Sequence, residues 1–153
     1  MRAFQITTAG GPASLTTLPS ARPDPGQVAV RLRACGLNFA DMLMLQGKYQ
    51  DTPLAPFTLG MEGAGTITAL GEGVSSLQLG QRVAVFAGQG CLAEEGVFDA
   101  DRLLAIPDAM SFEHAAAFQI AYGTSHMALA HCARLQPGER LLVTGAAGCV
   151  GMT

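Results

Sequence analysis

Charge is scarce in this chain. Only 14% of its 153 residues are Asp, Glu, Lys or Arg, and the formal net charge is -3. The Lys and Arg residues are scattered singly, with no basic stripe to follow a phosphate backbone or an anionic surface, which argues against nucleic acid or membrane as partner. No window approaches the roughly 20 apolar residues that span a bilayer, and the N-terminus has no signal-type apolar core. The four cysteines (Cys35, Cys91, Cys132 and Cys149) are not paired at metal-finger spacing, and no secretory context suggests a disulfide framework. They read as small buried thiols. Internal repeats and low-complexity segments are missing as well. Against these absences stands an apolar content of 49%, which argues against disorder, on a length that suits one domain. The expectation is a soluble, cytoplasmic protein.

What is present is a series of short strand signals. Ala3–Ile6 and Ser14–Leu18 flank a Gly-Gly-Pro break, and prolines 19, 23 and 25 then keep the chain extended up to a turn at Asp24-Pro25-Gly26. Val28, Val30 and Leu32 alternate with Gln27, Ala29, Arg31 and Arg33, the pattern of a half-buried strand. Asn38 is placed to cap a helix over Phe39–Gln46, with Gly47 at its C-terminal end. Residues 48–58 read as a loop. Further strands are expected at Gly60–Leu70, Val83–Phe86, Ala93–Phe98 and Leu103–Ile106. Seven or more short strands with turns between them indicate a barrel or sandwich.

The composition then changes. Ser111 is suited to cap a helix starting at Phe112, with Glu113 in its first turn, and Gly123 is expected to separate it from a second helix ending near Leu135. Leu141, Leu142 and Val143 read as a strand buried on both faces, followed at once by Gly145-Ala146-Ala147-Gly148-Cys149-Val150-Gly151. A buried strand, a glycine turn and a helix start together form the first unit of a dinucleotide-binding domain, where backbone N–H groups meet a phosphate. His126 and His131, five apart, do not share a helical face, so no metal pair is expected from them.

Five stretches carry a resemblance. They are Ala34-Cys35-Gly36-Leu37-Asn38-Phe39-Ala40-Asp41, Leu59-Gly60-Met61-Glu62-Gly63-Ala64-Gly65, Leu79-Gly80-Gln81-Arg82-Val83, Leu104–Pro107 with Ser111–Ala116, and Gly145–Gly151. In this order the chain resembles the N-terminal half of a medium-chain dehydrogenase/reductase of the zinc-independent quinone oxidoreductase branch. The resemblance implies a mainly β fold with α: a GroES-like β-barrel catalytic domain over residues 1–120. A linking helix and the start of a truncated Rossmann domain would follow over 121–153. In such proteins the substrate lies in the cleft between the two domains.

The chemistry follows from the same resemblance. Zinc-dependent relatives carry Cys and His where this chain has Asn38 and Met61; an amide is a poor zinc ligand, a thioether suits softer metals, and Glu62 alone cannot hold the ion. No metal site is therefore expected. Hydride transfer from NADPH to a quinone or activated alkene needs only donor and acceptor held face to face, with hydrogen bonds to the developing oxyanion. The resemblance places Asn38 and Tyr49 by the reacting groups and Thr124 on the nicotinamide side, with Gly145, Ala146, Ala147, Gly148, Cys149, Val150 and Gly151 as the phosphate loop. By propensity alone, Asn38 reads equally as a helix cap, Tyr49 as a loop tyrosine, and Asp41 as paired with a base or solvated. Gln81 stands where relatives carry Asp, which removes an expected pair with Arg82. Two alternatives stay open: a stand-alone GroES-like binding or assembly module without redox activity, and a zinc-type alcohol dehydrogenase relative. An uncovered 141–143 segment would be disordered, fold back, or pair with another copy's tail, so a homo-oligomer is among the expected states.

Overall fold

The computed structural model describes residues 1–8 and 10–153. Its chain divides into two compact units, Met1–Ala117 and Phe118–Thr153.

The first unit is built from eight strands among the described residues: β1 (Arg2–Ile6), β2 (Ala13–Thr17), β3 (Gln27–Gly36), β4 (Phe57–Thr58), β5 (Glu62–Leu70), β6 (Arg82–Phe86), β7 (Glu95–Asp99) and β8 (Leu103–Ala105). They form a three-stranded sheet, β2-β1-β4, and a five-stranded sheet, β7-β3-β5-β6-β8, with every pairing antiparallel. The two-residue strand β4 lies in the stretch read from sequence as loop; it pairs Phe57 and Thr58 with Ile6 and Gln5. Strand β3 buries Val28 and Val30 completely, as its alternation predicts. With Ile67, Val83, Val85, Phe98, Leu103 and Cys91 they fill the core against the five-stranded sheet. Each such large apolar side chain contributes about 1.5–3 kcal/mol by leaving water.

Two glycines allow the strands to close on one another. Gly65 of β5 lies against the Arg31 carbonyl, where no Cβ fits, and Gly60, at φ +97°, turns the chain into β5 beside Cys35 and Leu92. Helix α1 (Phe39–Leu45) begins at Asn38 and ends at Gly47, which has φ +64°. Both ends agree with the sequence. Within α1, however, only Met44 of the two methionines is buried; Met42 faces solvent.

Helix α2 (Phe112–His126) starts where Ser111 predicts, with the Ser111 hydroxyl accepting from His114 N–H at 3.2 Å. Gly123 does not break it. The helix instead continues into a π-helical segment, Met127–Cys132, that ends near Arg134 at φ +53°. A glycine lowers helix stability by only about 1 kcal/mol, and hydrogen bonding on either side bridges it here. The wider π turn also corrects the reading of the two histidines: residues five apart become neighbours, and the His126 and His131 rings meet edge to face at 5.5 Å.

Residues 139–143 form no regular secondary structure, and Leu142 is 87% exposed. The buried strand expected there is not formed among the described residues, because a strand exists only through a neighbour's hydrogen bonds. Cys132 and Cys149 are exposed, contrary to the reading of all four cysteines as buried. No helix is long and apolar enough to cross a membrane among the described residues.

Candidate active site

The first unit gathers its buried polar groups at one place. Strand β3 runs out through Cys35 and Gly36 into Leu37 and Asn38, while β5 enters from Gly60 and Met61 to Glu62; Gly36 and Glu62 face each other in the ladder. Asp41, in the first turn of α1, and Glu62 are the buried charged residues of the described chain, at 6% and 2% exposure.

Each carboxylate has a definite task. Asp41 Oδ2 accepts from Asn38 N–H at 2.8 Å, and its Oδ1 accepts from Gly60 N–H at 3.2 Å. One side chain thus fixes the start of α1 to the turn before β5, by charge-assisted bonds that satisfy two backbone donors. The sequence reading of Asp41 as solvated or ion-paired is corrected: its partners are backbone amides. Glu62 Oε1 accepts from Asn38 Nδ2 at 2.9 Å. Gly36 leaves the room for it, since a Cβ there would lie 2.6 Å from Glu62 Oε1 and 2.5 Å from the Ala116 carbonyl oxygen of α2.

Cys35 sits beneath this network. Burial, and then the nearby charges of Asp41 and Glu62, push its thiol up to about 12. Cys91, more deeply buried, is raised further, first by burial and then by Cys35 and the same two carboxylates. Both remain neutral thiols, inert as nucleophiles.

Asn38 is half-buried, with exposed apolar neighbours: Leu37 at 70%, Phe39 at 77% and Met42 at 55%. Met61 is buried. Tyr49 is half-buried on the turn after α1, where its carbonyl accepts from the Thr52 hydroxyl at 2.6 Å. No hydrogen bond among the described residues joins Tyr49 to the Asn38 network. Glu62 is the site residue that sequence reasoning passed over, having weighed it only as a metal ligand. Its signal was a carboxylate at the head of an otherwise apolar, glycine-dotted strand.

Arg82 does not lack partners despite Gln81 before it. Its guanidinium donates to the carbonyls of Pro107 (3.0 Å), Asp108 (2.6 Å) and Met110, and lies 4.5 Å from the centre of the Phe112 ring. Gln81 instead accepts from Gln78 N–H at 2.8 Å, closing its own turn.

The second unit holds the other sequence-predicted residues. Thr124 is exposed on α2, and Gly145 through Val150 are exposed on turns. Gly145 has φ +70°, Gly148 N–H returns to the Gly145 carbonyl at 2.9 Å, and Met152 N–H reaches the Gly148 carbonyl at 3.0 Å. A Cβ on Gly151 would lie 2.5 Å from the Gly145 oxygen. The loop is therefore a tight turn that calls for glycine at 145 by its positive φ and at 151 by the close carbonyl, and that leads into one helix-type bond. Ser125, beside Thr124, donates to the Val150 carbonyl at 3.0 Å, tying this turn to α2. Among the described residues no three His, Cys, Asp or Glu side chains cluster in a metal-binding arrangement; the groups at the positions in question are an amide, a thioether and a carboxylate already bonded to that amide.

Comparison with known proteins agrees with this architecture. Residues 24–108 match the alcohol dehydrogenase GroES-like domain. The human synaptic vesicle membrane protein VAT-1 homolog is 46% identical over 156 residues, covering 99% of this chain and 40% of that protein. Among solved structures, the quinone oxidoreductase of Pseudomonas syringae superposes with a TM-score of 0.91 at 35% identity, covering 98% of this chain and 47% of that one. The quinone oxidoreductase from Thermus thermophilus, determined also as its complex with NADPH, gives 0.86 at 38% identity, over 99% and 48% of the two chains. The chain thus spans about two fifths to one half of these relatives. With β3, β5 and α1 meeting at Asn38, Asp41 and Glu62 in a GroES-like domain, it belongs to the quinone oxidoreductase-like branch of the medium-chain dehydrogenases/reductases.

Proposed function

We propose that this chain is the N-terminal, catalytic-domain portion of an NADPH-dependent reductase of quinones or activated alkenes that transfers hydride without zinc. One observation carries the reading. The position that would have to supply a zinc thiolate is Asn38, and its amide nitrogen is committed to Glu62 at 2.9 Å. A protonated amide nitrogen has no lone pair to give a metal, and the Met61 thioether beside it is a soft donor ill suited to zinc. The relatives named as quinone oxidoreductases, one of them solved with NADPH, support the substrate and cofactor classes.

NADPH, when bound, supplies a hydride; with one proton from solvent it converts a quinone to its hydroquinone. This chain's own residues orient the partners. Gly145–Gly151 offers backbone N–H groups to phosphate, Thr124 lies one residue from the Ser125 hydroxyl that ties the loop's end to α2, and Asn38 is held rigidly by Asp41 and Glu62. The Tyr49 hydroxyl is assigned to the carbonyl oxygen that gains charge. The exposed Leu37, Phe39 and Met42 provide an apolar rim for a flat substrate and keep water from the hydride.

Titrating NADPH against the 153-residue chain, followed by nucleotide fluorescence, tests the partition of the site. Very weak or no binding is expected, because the adenosine side of the site lies outside these residues; tight binding would overturn that assignment. The alternative of a self-contained binding module is favoured by the separate core of Met1–Ala117. It would be preferred if a longer form of the protein failed to oxidise NADPH with any quinone.

A further inference from the structure

We propose that His126 and His131 form a two-imidazole chelate on the second unit, for a divalent ion of the imidazole-seeking kind: nickel, copper or zinc. The pair meets only while Met127–Cys132 holds its π-helical form, so a bound ion also locks that form. The inference is independent of the reductase reading and gives the ion no part in hydride transfer.

In an α-helix of about 3.6 residues per turn, side chains five apart point about 140° away from each other, too far around to share an ion. The chain departs from that form here. Ala133 N–H reaches the Ala128 carbonyl, five residues back, at 2.8 Å, the bond that defines a π turn. A single π turn continuing an α-helix is uncommon and often marks a functional place. It brings the two ring centres to 5.5 Å, edge to face at 80°. Two imidazoles bound to one ion at about 2.0–2.1 Å each have centres about 5 Å apart at tetrahedral or square angles. The pair is thus a modest side-chain rotation from a chelate; both residues are exposed, and the last torsion of histidine is broad. The donors select the ion. Residues 124–138 contain no Asp or Glu, so the segment offers no carboxylate to calcium or magnesium, whereas imidazole suits nickel, copper and zinc. With two protein ligands the remaining positions fall to water, which makes the site weaker than a closed four-ligand centre. An ion that binds the π form and not the α form shifts the segment toward the π form.

The test titrates nickel chloride into the 153-residue chain at pH 7.5 by calorimetry, and zinc chloride into the labelled chain by NMR of its three histidine rings. Zinc should move the ring nitrogen signals of His126 and His131 and leave those of His114 in place. His126→Gln and His131→Gln should each weaken nickel binding roughly tenfold or more, because either change leaves one arm of the chelate. His114→Gln and Cys132→Ser should leave it unchanged. Saturating zinc should slow hydrogen exchange at the Ala133 amide, whose bond closes the π turn. Absence of nickel binding to the unsubstituted chain, which needs no variant to fold, would overturn the site. Binding that survives either histidine change, or that is lost in Cys132→Ser, would overturn the two-imidazole assignment. Ring shifts with no slowing at Ala133 would overturn the coupling to the π form.

Discussion

Gly36 shows most plainly how single residues set this site. Its hydrogen occupies the space between the Glu62 carboxylate and the Ala116 carbonyl, so Gly36→Ala should destabilise the protein by about 1–3 kcal/mol, the cost of overpacking. Equilibrium denaturation measures it, and no loss would mean that the carboxylate has other room. Asp41→Ala strands two backbone N–H groups and should cost about 3 kcal/mol, since bonds to charged groups contribute about 1.5–3 kcal/mol each. The thiols give a pH dependence. Cys35 and Cys91 both rise above the ordinary thiol value of 9.0 in the folded state, chiefly by burial. A raised acid binds more protons folded than unfolded, so stability is constant below pH 9 and falls as pH rises toward 12. Denaturation midpoints across pH 8–11, compared with a Cys35→Ala variant, should show the slope reduced in the variant.

At the scale of elements, Arg82 joins the start of β6 to the loop before α2. Three carbonyl acceptors and the Phe112 ring converge on one guanidinium, a geometry lysine cannot reproduce. Arg82→Lys should therefore speed hydrogen exchange at residues 107–115 at least several-fold while leaving β3 and β5 protected. Uniform change across the chain would contradict this role. The same elements show what the sequence made legible. Strand β3 was readable because apolar–polar alternation maps directly onto two faces, and α1 because Asn38 and Gly47 are chemically suited to its ends. Glu62 was not, because only the pairing of β3 with β5 brings it to Asn38. The π-helical continuation of α2 was unreadable because it preserves composition and changes only the hydrogen-bond step. The strand expected at 141–143 failed for a different reason. Local preference specifies an apolar strand there, but strand structure depends on partners that residues 1–153 do not provide.

At the scale of the whole molecule, the two compact units divide the chemistry. The first holds a rigid polar site made of Asn38, Asp41 and Glu62 in a self-contained β core; the second holds a glycine loop with exposed apolar residues around it. About half the length of the solved relatives lies outside this chain, and the proposed catalysis is that of a protein of the relatives' full length. The proposal to be tested is hydride transfer without a metal. The decisive measurement is the rate of NADPH oxidation by that longer protein with a simple quinone, before and after exhaustive treatment with a zinc chelator. The same rate is expected in both. A rate lost on chelation and restored by added zinc would contradict it.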